Sequence, residues 1–184
     1  MAEDRYVRRR SVYRGKIVDL DLETIDLPNG ESAELEIVRH PGGAAVVALD
    51  DQGRVCLLRQ YRHAADGWIW ELPAGKLEPD ETPFGTARRE LSEEAGVEAK
   101  RWTDLGAMHS SPGILTEIIH LYLACDLRQA AHDHEINEVI EIHWRPFGQA
   151  LDWCLDGTIT DAKTLIGLFR TQASRGNEIS TGYT

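Results

Sequence analysis

Glu90, Glu93 and Glu94, in the stretch RRELSEEAG, have the types and spacing to do chemistry. On an α-helix, at about 100° per residue, they fall beside one another, because spacings of three and four return a side chain to the same face. Arg89 lies one turn before Glu93 and can hold it in an ion pair. Ala87, Leu91, Phe84 and Ala95 form an adjoining apolar stripe expected to face the core. Carboxylates packed this closely repel one another unless cations sit between them. Hard oxygen ligands with few protein contacts suit Mg2+ or Mn2+, completed by water and substrate phosphate. The plainer reading is a solvated acidic helix face, and RRELSEE alone does not separate the two.

The elements that must position this helix are legible on both sides of it. Thr82 is suited to cap its start, Pro83 to its first position and Gly96 to a left-handed residue at its end. Upstream, GKIVDLDLETIDL alternates with period two, and Pro28–Asn29–Gly30 makes a turn before the strand ESAELEIVRH. GGAAVVALDDQGRVCLLRQY predicts two strands around the Asp51–Gln52–Gly53 turn, and WIWELPAG a further strand entering a loop. Downstream, WTDLGAMH, IIHLYLAC and VIEIHWRPF read as strands, and spaced apolar residues from Phe147 to Ser174 predict two more helices. The expected architecture is α+β. Residues 1–40 form a β-rich N-terminal extension and residues 41–184 the main domain.

Composition narrows the function. A net charge of −11 over 184 residues disfavours nucleic-acid binding, which rests on basic surface. The Arg8–Arg9–Arg10 cluster reads as a solvated arm. No apolar run approaches the roughly 20 residues of a membrane span, and MAEDRYVRRR lacks a signal-peptide core. Cys56, Cys125 and Cys154 include no CxxC pair, so a reducing cytoplasm is expected instead of a disulfide framework or zinc site.

Gly75, Glu81 and the run Arg89–Glu90–Leu91–x–Glu93–Glu94–x–Gly96–Val97 fill every position of the Nudix box, and the sequence resembles the Nudix hydrolases. The resemblance implies an α/β/α sandwich of mixed sheet and flanking helices. It also implies Mg2+ or Mn2+, two or three ions per site with substrate bound, and hydrolysis of a nucleoside diphosphate linked to another moiety. Glu90, Glu93 and Glu94 would be metal ligands with the carbonyl of Ala74, and Arg89 would support them. Glu81 either braces the loop or binds metal.

The flanks are similar to the ADP-ribose and nucleoside diphosphate sugar pyrophosphatases, notably LLRQYRHAADGWIWELPAGKLEPDE and SSPGILTE, whose Pro112 lies fifteen residues past the box. The implied reaction converts ADP-ribose to AMP and ribose 5-phosphate in a homodimer with a small-molecule nucleotide as partner. A GDP-mannose or broader nucleoside diphosphate sugar hydrolase is the alternative, and a non-catalytic ADP-ribose sensor is an alternative of another class. Arg62 is assigned to the diphosphate or ribose, and Glu71 to metal through water or to a substrate hydroxyl. Ser110, Pro112, Gly113 and Glu117 are assigned to the ribose side. Trp68 and Trp70 read as core or dimer contacts, with Tyr13 a candidate to stack on the base. Members of this subgroup often draw the water-activating carboxylate from a loop outside the box. In HDHEINEVIEIHW that residue would be Glu138 first and Glu135 second, with Glu141 structural and His132 and His134 part of a polar loop.

Overall fold

The computed structural model describes residues 7–130 and 139–180, with side chains from 8 to 130 and from 139 to 175. The chain divides into two compact units, one of residues 1–42 with 109–118 and one of 43–108 with 119–184.

The smaller unit is built on an antiparallel sheet of β1 (Val7–Arg14), β2 (Asp19–Asp26) and β3 (Ser32–Arg39), in that order. Period-two alternation in β2 is present, yet its most buried side chains are Asp21 and Glu23. Arginines make this tolerable. Arg9 Nε lies 2.7 Å from Glu23, Arg14 Nη1 lies 2.6 Å from Asp21, and Arg39 pairs with both acids. Arg8–Arg10 are exposed, as expected of a solvated cluster, but they form no free arm: they belong to β1, and Arg9 reaches the buried Glu23 carboxylate. A buried acid is stable only when paired, and the pairing draws the arginine strand onto β2.

The larger unit carries two sheets, ordered β10–β5–β6 and β7–β4–β9–β8. Its strands are β4 (Gly43–Ala48), β5 (Arg54–Arg62), β6 (Gly67–Glu71), β7 (Ala74–Lys76), β8 (Val97–His109), β9 (Ile118–Gln129) and β10 (Ile140–Pro146). Strand β4 runs parallel to β9 and antiparallel to β7, so the sheet is mixed. Every residue of β4 is buried, as expected of a strand covered on both faces. Ala44, Val46 and Ala48 join Ala87, Leu91 and Ala95 of helix α1 (Pro83–Ala95) in one core. Val47 and Leu49 face a second core with Phe147 and Ala150 of α2 (Phe147–Asp156) and Leu168 of α3 (Ala162–Ser180). Strand alternation thus sends successive β4 side chains to helices on opposite faces, which makes the helix–sheet–helix sandwich. Among the described residues no helix is long and apolar enough to cross a membrane.

Candidate metal and substrate site

Helix α1 has the predicted ends. The Thr82 hydroxyl accepts from the Gly85 N–H at 3.1 Å, Pro83 opens the helix, and Gly96 closes it at φ 64°. Its faces differ from a simple wheel. Glu90 and Glu94 are buried alongside Ala87, Leu91 and Ala95, whereas the Glu93 side chain is 38% exposed. Phe84 is turned toward solvent and packs edge-on against Trp102 instead of entering the core.

The buried glutamates meet the turn between β6 and β7. Glu94 Oε2 accepts the Ala74 N–H at 2.7 Å. The Glu90 carboxylate lies so close over Gly75 that a Cβ there would overlap it. On the other side of the turn, the Pro73 carbonyl accepts from the Val46 N–H at 2.9 Å.

Arg89 is the hub of this charge cluster. Its Nη1 donates to Glu90 at 2.6 Å and Glu93 at 3.0 Å, and its Nε and Nη2 each reach Glu81 at 3.1 Å. Hydrogen bonding by Arg89, helped by the Thr86 hydroxyl and the Glu78 N–H, outweighs burial and holds the Glu81 carboxyl down at about 2. The same bond to Glu81 raises the Arg89 guanidinium further above its ordinary range. Thr86 Oγ1 also donates to the Glu81 carboxylate, at 2.7 Å. Burial, assisted by the charge of Glu94, pushes the Cys56 thiol up to about 12 and keeps it protonated.

Among the described residues, no group of three or more His, Cys, Asp or Glu side chains stands in a metal-holding arrangement. The donor chemistry nevertheless fits a hard divalent cation. All the donors are oxygens, a positive centre (Arg89 Nη1) already bridges Glu90 and Glu93, and Gly75 leaves open the space its neighbour's carboxylate fills.

Arg62 and Glu71 form a two-pronged pair beside this turn, with Nη2–Oε2 at 2.7 Å and Nε–Oε1 at 3.1 Å. Glu71 is only 3% exposed, and Lys163 Nζ approaches it at 3.4 Å. Lys163 escaped the sequence reading because it lies far along the chain and belongs to no motif. Trp70 packs against Trp153 and His143 in the interior, while Trp68 is partly exposed beneath Arg59.

In the smaller unit, Ser110, Pro112, Gly113 and Glu117 share one loop. Glu117 lies 3.2 Å from His40 Nδ1, and the buried Ser110 hydroxyl has no hydrogen-bond partner among the described residues. Pro112 and Gly113 are exposed. Glu135 and Glu138, like His132 and His134, lie outside the described residues. Glu141 is on β10, 3.2 Å from His143.

The model of the NUDIX domain matches residues 39–165. The chain belongs to the Nudix family. It is 38% identical over 164 residues to an ADP-ribose pyrophosphatase of Bacillus subtilis, covering 88% of this chain and 89% of that one. It is 36% identical over 168 residues to a methanol dehydrogenase activator of Bacillus methanolicus, covering 90% and 91%. Its fold matches a crystal structure of an ADP compounds hydrolase with a TM-score of 0.82, covering 96% of each chain at 20% identity. The Nudix fold read from the sequence is the one observed.

Proposed function

We propose that this Nudix protein hydrolyses the diphosphate of ADP-ribose to AMP and ribose 5-phosphate, using Mg2+ or Mn2+. The observation that carries the reading is the gathering of the buried Glu90 and Glu94 onto the Ala74–Gly75 turn. The 38% identity to an ADP-ribose pyrophosphatase supports the substrate. Glu90, Glu93, Glu94 and the Ala74 carbonyl would hold the ions. Bound there, divalent cations supply charge neutralisation for the diphosphate oxygens and lower the pKa of the attacking water.

The chain's own residues do the rest. Arg62 offers a guanidinium to the diphosphate or ribose, and Glu71 orients it through their two-pronged pair. Ser110, Pro112, Gly113 and Glu117 are assigned to substrate on the sequence resemblance. Water adds to phosphorus as the P–O–P bridge breaks, and its proton passes to Glu138, with Glu135 the second candidate. Glu138→Gln is then expected to lower kcat by about 10²-fold. An equal loss in Glu135→Gln, with Glu138→Gln active, would transfer the role.

With Mg2+ and a panel of ADP-ribose, ADP-glucose, GDP-mannose and NADH, ADP-ribose is expected to give the highest kcat/KM. A GDP-mannose value about tenfold higher would overturn the substrate assignment. Binding of ADP-ribose without turnover of any compound would instead indicate a sensor.

The N-terminal segment is proposed to form a homodimer. Val12, Tyr13 and Ile17 are each at least half exposed there, apolar side chains that a second copy could cover. Sedimentation equilibrium at micromolar concentration is expected to return twice the 20.6 kDa chain mass; a monomer throughout would refute it.

A further inference from the structure

Helix α3 reaches the Ala74 turn from the face of the sheet opposite to α1. Its first turn is capped by Asp161, whose Oδ2 accepts the Thr164 backbone N–H at 3.0 Å and the Thr164 hydroxyl at 2.6 Å. The hydroxyl oxygen in turn accepts the backbone N–H of Leu72 at 2.9 Å. Both Leu72 and Thr164 are sealed from solvent. Lys163 spans Asp161 at 3.0 Å and Glu71 at 3.4 Å, so the same turn also grips the partner of Arg62. One turn further on, Gly167 lets the helix press inward; a Cβ there would meet Leu72 Cδ1 at 2.8 Å and Val47 Cγ2 at 3.1 Å.

The backbone from Leu72 to Ala74 is therefore held at three successive residues by three different elements. Thr164 of α3 takes the Leu72 N–H, Val46 of β4 binds the Pro73 carbonyl, and Glu94 of α1 takes the Ala74 N–H.

We propose that Thr164 is a positioning residue for the metal loop: its hydroxyl passes the α3 cap on to Leu72 and so fixes where Ala74 meets the Glu94 carboxylate. The inference rests on the reading of Glu90 and Glu94 as holders of a divalent cation. Without the hydroxyl, the Leu72 N–H is left buried with no acceptor, a state proteins avoid. Its nearest relief is rotation of the turn, which carries Ala74, two residues on, away from Glu94. Groups that orient ligands in this way are worth about 10–100-fold in metal affinity.

The test is titration of the full chain with Mn2+ alone, free ion being read by electron paramagnetic resonance, alongside kcat and KM for ADP-ribose. Thr164→Val keeps shape and volume but loses the acceptor. It is expected to raise the Mn2+ dissociation constant by about tenfold or more and to lower kcat, with KM moving less than about threefold. Thr164→Ser, which restores the hydroxyl, is expected to return both values to within about twofold of the starting protein. Thr164→Cys, with a weak acceptor of similar size, carries the same test if the valine variant does not fold, and is expected to fall between them. Unchanged Mn2+ affinity in the valine or cysteine variant overturns the proposal. Glu94→Gln separates the two levels. If it too binds Mn2+ normally, the metal assignment has failed; if it loses the ion while the Thr164 variants keep it, only the role of Thr164 falls.

Discussion

Glu94→Gln is expected to lower kcat/KM for ADP-ribose by about 10³-fold or more while leaving the fold in place. The geometry makes this substitution unusually clean. Glu94 Oε2 accepts the Ala74 N–H, and the glutamine side-chain oxygen can accept the same hydrogen. The turn therefore keeps its anchor, and the change removes one negative charge from a buried position. Loss of a carboxylate from a cluster of hard oxygen ligands weakens the hold on a divalent cation, and with it the charge neutralisation the diphosphate requires. Thermal unfolding of the variant measures the fold, and steady-state turnover with Mg2+ measures the site. Near-normal turnover in a folded variant would remove Glu94 from the catalytic machinery.

Gly75→Ala is expected to reduce turnover by a similar factor, about 10³-fold, by another route. Added at this position, a methyl group falls on the Glu90 carboxylate. The atoms it meets are the far end of a side chain that can swing aside, so the backbone need not move. Displacing that carboxylate also breaks the 2.6 Å bond from Arg89 Nη1. The melting temperature is expected to fall by no more than about 2–4 °C, the equivalent of roughly 1 kcal/mol in a protein of this size. Activity within threefold of the parent would mean that the Glu90 position does not govern the reaction, whereas a collapse of the melt would assign Gly75 to folding.

The two substitutions also mark how far the residues could be read in advance. Thr82, Pro83 and Gly96 announced the ends of α1 because capping is decided within one turn of chain. The i,i+4 pair of Arg89 with Glu93 followed for the same reason. The wheel could not rank the carboxylates by burial. Glu90 and Glu94 turn inward because β4 and the Ala74 turn meet that side of the helix, and no local periodicity encodes which strand will stand there. Asp21 and Glu23 show the converse: alternation in β2 was legible, but the burial of its charged members depends on Arg9, Arg14 and Arg39, contributed by the strands on either side.

By itself the sequence determined the carboxylate helix, its two caps, most of the strands along the chain and the family to which the chain belongs. These rest on short-range spacing and on a motif whose residues are nearly contiguous. Only the tertiary structure decided what holds the turn from Leu72 to Ala74. Leu72 and Thr164 are 92 residues apart, Ala74 and Glu94 are 20 apart, and Lys163 meets Glu71 from the far end of the chain. Such contacts exist because β4 pairs in parallel with β9 and antiparallel with β7, leaving α1 and α3 to close on one turn from opposite faces. Sheet order is set by packing of the whole chain, so partners across it leave no mark in either stretch alone.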